Sequence, residues 1–188
     1  MKISIEEYHD LEYRYLPIIG RIIGSNQRFF KLDKQINWSF MYDERVAIMA
    51  HYNNKTKKII VNIAAVDFAF QKNEPLNIEY FLLHEMRHMY QYAEIEKYRT
   101  NPEKCNNIEK AKKWSDEEYD YVLPLDKTGN QNDGYFEQDM EMDAFAYAWA
   151  VMIYKYGYVE YLYLPKAYKN EKFEKIVDEW IKFFKQRS

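Results

Sequence analysis

The sequence predicts an α+β domain: helices at both ends and a small antiparallel sheet between them. Three observations lead there. Apolar residues recur at helical spacing over 8–19, the period falls to two between 35 and 63, and helical stretches return after 75. With 188 residues and only 5 Gly and 5 Pro, the chain has material for one sizeable core and little for linkers, so a single domain over 1–188 is expected.

Ser4 followed by Glu6 and Glu7 marks a helix start, with Ser4 as its cap. Tyr8, Leu11, Tyr15, Ile18 and Ile19 continue that helix, and Pro17 predicts a kink in it. His9 reads as a surface residue. Ile36, Trp38 and Phe40 alternate with Asn37 and Ser39, as in a half-buried strand. Segments 45–52 and 58–63 flank the polar run 53–57 and predict a β-hairpin, with His51 structural on its first arm. The second arm is a candidate edge strand. Its free backbone groups would then hold an extended peptide, unless Lys55, Lys57 and Lys58 serve to protect that edge.

A short helix over 64–71 leads into a long one over 75–98, which has no Gly or Pro after Pro75. The polar stretch 99–133 holds one candidate helix, 107–119, and runs into a loop at 129–134 rich in Gly and Asn. Residues 135–156 are acidic at the front and apolar after it, predicting one buried helix ended by Gly157. The chain closes on an amphipathic helix over 171–186. Phe173, Ile176, Val177, Trp180, Phe183 and Phe184 form its packing stripe, assigned to the core.

Composition removes several function classes. A net charge of −3 gives no ground for a nucleic-acid partner. The single Cys105 excludes an internal disulfide, reads as an ordinary free thiol and fits a reducing compartment. The first residues lack the apolar core of a signal peptide, and the longest apolar run, 144–154, is too short to span a bilayer. A cytoplasmic protein with no membrane partner is the expectation. Aromatic residues make up 18% of the chain, so core and rim should both be aromatic.

The chemistry concentrates in the long helix, at His84-Glu85-Met86-Arg87-His88. Residues four apart on a helix lie nearly one above the other, about 6 Å along the axis. His84 and His88 can therefore offer two imidazoles to one zinc ion at roughly 2.0–2.1 Å each. Glu85, beside that pair, can reach a water on the metal as general base. Leu82, Met86, Met89 and Ala93 form an apolar stripe next to the histidines.

A third ligand is expected from the acidic front of the 135–156 helix, since carboxylates buried there are costly without a partner. Glu137 and Glu141 share one helical face, and spacing does not separate them. Asp139 and Asp143 lie about 200° round the helix from Glu141. Arg87 is expected to pair with Glu137 or Asp143, behind the ligands or as an ordinary surface ion pair. Three protein ligands and a water make the open geometry of a catalytic zinc site. A closed structural site takes four, for which one Cys and two spare His are poor supply.

The His84–His88 motif resembles the zincin signature, and Glu141-x-Asp143-Ala144-x-x-Tyr147-Ala148 resembles the second helix of small gluzincins, including the ImmA/IrrE-type peptidases of phage and mobile elements. The resemblance covers roughly 59–152. It implies a zincin-like fold, one Zn2+ per chain and Glu141, three before Ala144, as the third ligand. The small Ala144 and Ala148 would also let that helix approach the histidine helix closely. The implied activity is that of a zinc metallopeptidase cutting peptide bonds of an intracellular protein, with Glu85 as base. A tyrosine is then expected to stabilise the oxyanion, with Tyr135, Tyr158, Tyr161 and Tyr163 as candidates. The alternative is a zincin-like binding or inhibitory module whose zinc serves stability without turnover. Arg87 and Gln91 depart from the usual residues of the repressor-cleaving subgroup, and no helix-turn-helix module accompanies the motif.

Overall fold

The computed structural model describes residues 3–29, 35–125, 130, 132–157 and 162–187. These residues form seven α-helices and a three-stranded sheet, an α+β chain with a helical C-terminus. Contacts divide the chain into two compact units, Met1–Met86 and Arg87–Ser188, and helix α3 (Pro75–Thr100) runs through the boundary.

In the first unit, α1 (Ile5–Phe29) opens with a reciprocal cap. Ser4 Oγ accepts from the Glu7 N–H at 3.1 Å, and the Glu7 carboxylate accepts from the Ser4 N–H at 2.7 Å. Pro17 lies inside this helix, and Tyr15, Ile19 and Ile23 are its buried face. The strands are β1 (Trp38–Met41), β2 (Ala50–Asn53) and β3 (Lys58–Asn62), in the order β1-β3-β2.

Two expectations about the sheet are corrected. It is mixed, since β1 runs parallel to β3 while β2 pairs antiparallel to it. The second hairpin arm, β3, is also the central strand and not an edge. Its Ile59 N–H is taken by Asn37 O at 3.0 Å on the β1 side, and Ile59 and Val61 are fully buried. No peptide can add to a strand bonded on both sides; the edges are β1 and β2. The alternation of apolar residues marks a strand but carries no information on a partner distant in sequence.

The first hairpin arm begins only at Ala50. Before it, Asn62 draws the chain into turns, its amide nitrogen donating to the carbonyls of Asp43, Arg45 and Ile48. The same residue caps α2 (Ile63–Gln71), accepting from the Ala64 N–H at 3.2 Å. Asn73, at φ 59, turns the chain through the left-handed region into Pro75, the first residue of α3.

Helix α3 is buried almost all round from Asn77 to His88. The expected apolar stripe holds at Leu82 and Met86, is only half-buried at Met89 and fails at Ala93, which is exposed. The buried face continues instead through Gln91, Glu94 and Ile95. A hydrophobic pattern does not register a buried Gln or Glu.

In the second unit, Asn107 caps α4 (Ile108–Tyr119), accepting from the Lys110 N–H. The helix expected over 135–156 is two helices, α5 (Asp133–Glu137) and α6 (Asp139–Tyr156), broken at Gln138, whose ψ is 133°. The break is held from outside the segment. Gln138 Oε1 accepts from the Val122 N–H at 2.9 Å, and its Nε2 donates to Val122 O and Tyr135 O. The Glu117 carboxylate then accepts from the first two N–H groups of α6, at Asp139 and Met140. Gly157, at φ 80, ends α6 as expected.

Ala144, Ala146, Ala148 and Ala150 are fully buried on α6, and α7 (Glu171–Arg187) packs along that helix. The core is aromatic: Tyr168 stacks on Phe173, and Phe136 and Phe145 meet Tyr168 at angles. Phe173, Val177 and Phe184 are buried on α7, whereas Phe183 is 37% exposed. Among the described residues no helix is long and apolar enough to cross a membrane.

Candidate metal centre

Helical geometry alone stacks His84 and His88 on one side of α3, a turn apart. Burial makes them consequential, for both are at least 94% shielded and Glu141 on α6 is fully so. His84, His88 and Glu141 each offer one ligand atom, and these atoms all lie within 4.8 Å of one another. Among the described residues this is the group of His, Cys, Asp and Glu that could hold a metal ion.

His88 Nε2 stands 3.1 Å from Glu141 Oε1. Two ligands of a tetrahedral zinc at about 2.0–2.1 Å lie roughly 3.3 Å apart, so this pair already has metal-site spacing. Two imidazoles and a carboxylate, with no thiolate, are a donor set that suits zinc. The residues present fit the ion.

Glu137 is not part of the group. The break at Gln138 ends its helix, and its side chain is exposed. Asp139 faces Lys113 and Lys172. Asp143 is buried and takes Arg87, the partner expected for it: Arg87 Nε donates to Asp143 Oδ2 at 2.7 Å. Burial alone would raise the Asp143 pKa, but Arg87 and then Lys110 outweigh it and hold the carboxyl below its ordinary range.

Glu85, next to His84, is buried, and one carboxylate oxygen lies 3.9 Å from His84 Nε2. The other, Oε2, accepts from the backbone N–H of Tyr52 on β2 at 2.6 Å. Since β2 bonds β3 on its other side, this N–H is an outward, edge-facing donor, and Glu85 occupies it.

Two residues were given no place at the centre by sequence reasoning. Gln91 Oε1 sits 2.7 Å from His88 Nδ1, and its amide nitrogen donates to Met140 O and Asp143 Oδ2. Its spacing of three from His88 is the one trace of this in the sequence. The Tyr121 hydroxyl donates to Glu141 Oε1 at 2.5 Å. It is placed by Gln138, whose two bonds to Val122 secure the neighbouring backbone, and no motif announces it.

No protein-family model, curated protein or solved structure matches this chain. What the centre can do therefore rests on its own geometry.

Tyr135 is half-buried with its ring edge-on to Tyr121, Tyr163 is half-exposed, and Tyr158 and Tyr161 lie outside the described residues. Cys105 is a free thiol donating to Glu94 O, His9 lies exposed beside Glu12, and His51 is exposed on β2 opposite Ile60.

Proposed function

We propose that His84, His88 and Glu141 hold one zinc ion and that the chain is a metallopeptidase with Glu85 as general base. The observation that carries this reading is the buried convergence of the three ligand atoms, with a carboxylate that is not a ligand fixed beside His84. Zinc bound in such a set acts as a Lewis acid and brings the pKa of a coordinated water to about 7.

The protein's own groups supply the rest. Glu85 takes the proton of the attacking water and returns it to the leaving amine, while the Tyr52 N–H keeps its carboxylate from swinging away. Tyr121 becomes the tyrosine to test for the oxyanion role, because its hydroxyl already reaches a ligand oxygen and is only partly buried.

Elemental analysis of the purified protein, as isolated and after zinc addition, tests the centre; about one zinc per chain is expected. No bound metal in either sample overturns the reading. Incubation with a broad peptide library then separates enzyme from binding module: zinc retained with no cleavage supports a zincin-like module without turnover.

A further inference from the structure

We propose that Gln91 is a positioning residue that fixes His88 with its hydrogen on Nδ1, so that Nε2 is the nitrogen offered to the metal. This rests on the metal-centre reading above and adds what prepares one ligand for it.

Gln91 is fully buried, and its amide has two distinguishable ends: an oxygen that only accepts and a nitrogen that only donates. The nitrogen faces Met140 O at 3.0 Å and Asp143 Oδ2 at 3.1 Å. A backbone carbonyl and an ionised carboxylate accept only, so the amide is oriented with its NH2 toward them. The oxygen is thereby left facing His88 Nδ1 at 2.7 Å, and an acceptor there requires a hydrogen on Nδ1. Whatever cation meets Nε2, 3.1 Å from Glu141 Oε1, Nδ1 keeps its hydrogen.

Asp143 in turn is held on two sides. Its Oδ2 takes Arg87 Nε and its Oδ1 takes Lys110 Nζ at 3.3 Å. The Arg87 guanidinium is enclosed by aromatic rings, with centroids at 4.4 Å for Tyr90, 4.5 Å for Trp180, and 5.4 Å for both Trp114 and Tyr147. The donors thus run in one direction, from His88 N–H to the Gln91 carbonyl and from the Gln91 N–H to the Asp143 carboxylate. A carboxylate acting on a ligating histidine through an intervening amide raises the basicity of Nε2 and locks the ring's rotation.

The test uses the full chain, with Gln91→Met as a variant of similar volume lacking both polar ends. Long-range 1H–15N spectra above the ordinary histidine range read which nitrogen carries the hydrogen, with and without zinc. Expected is a hydrogen on Nδ1 of His88 in the parent protein in both states. In Gln91→Met that preference should be lost and the zinc dissociation constant should rise about 10- to 100-fold. A bare Nδ1 in the parent protein overturns the proposal. So does a variant with unchanged tautomer and unchanged zinc affinity. Should the variant not fold, the parent spectrum alone decides. A parent protein that binds no zinc defeats the metal reading instead, and its metal-free spectrum still reports on Gln91.

Discussion

The backbone N–H of Tyr52 donates to Glu85 Oε2 across 2.6 Å, tying an edge strand to the residue that follows the first histidine of the motif. A carboxylate gripped in this way has one oxygen committed to the strand, while the other, Oε1, faces His84 Nε2 at 3.9 Å. Glu85→Gln keeps an acceptor for Tyr52 and removes only basicity. The variant should fold and carry zinc as the parent does, with peptide hydrolysis reduced by at least about 100-fold. Metal analysis and a cleavage assay check it; loss of zinc from the variant would make Glu85 a ligand and overturn its role as base.

The break at Gln138 separates the two carboxylates that spacing left equivalent. Glu141→Ala should weaken zinc binding far more than Glu137→Ala, which alters an exposed side chain at the end of α5. Dissociation constants for both variants decide the matter, and a larger loss for Glu137→Ala would contradict the assignment.

Tyr121→Phe removes the hydroxyl from Glu141 Oε1 and nothing else from the ring. A hydrogen bond to a charged group contributes about 1.5–3 kcal/mol. The metal-free variant should be destabilised by up to that amount in denaturant melts. If Tyr121 also serves the oxyanion, kcat should fall with zinc content unchanged; an unchanged kcat would remove that role.

Asp143 has a folded-state pKa below its unfolded value of about 3.9, so the unfolded chain binds its proton first on acidification. Its contribution is fully present above the unfolded pKa and is lost as pH falls through the folded one. The stability gap between the parent and Asp143→Asn should therefore be constant near neutrality and shrink below about pH 4. Melts of metal-free protein over a pH series measure it, and a gap independent of pH would mean that the Arg87 pair is not the cause.

Where a feature is local, the sequence carried it. The helical pattern placed α3 within two residues of its observed end, Ser4 caps α1, and Gly157 closes α6. Two histidines four apart share a face in any α-helix, which is why that part of the centre was legible. Gln91 was not, because an isolated polar residue reads as solvent-facing until its neighbours are known.

By itself, then, the sequence determined where most helices lie, that β2 and β3 form a hairpin, and the histidine pair, since each depends on residues near one another in the chain. Tertiary structure alone decided that β1 lies parallel beside β3 and that Glu117 and Val122 break the helix at Gln138; it also gathers Glu141 with the histidines, a place that the family resemblance implied and spacing did not. Each of those outcomes turns on a hydrogen bond or close approach between segments distant in the chain. Spacing and periodicity carry no record of such pairings, because the burial that makes them obligatory exists only once the chain has folded.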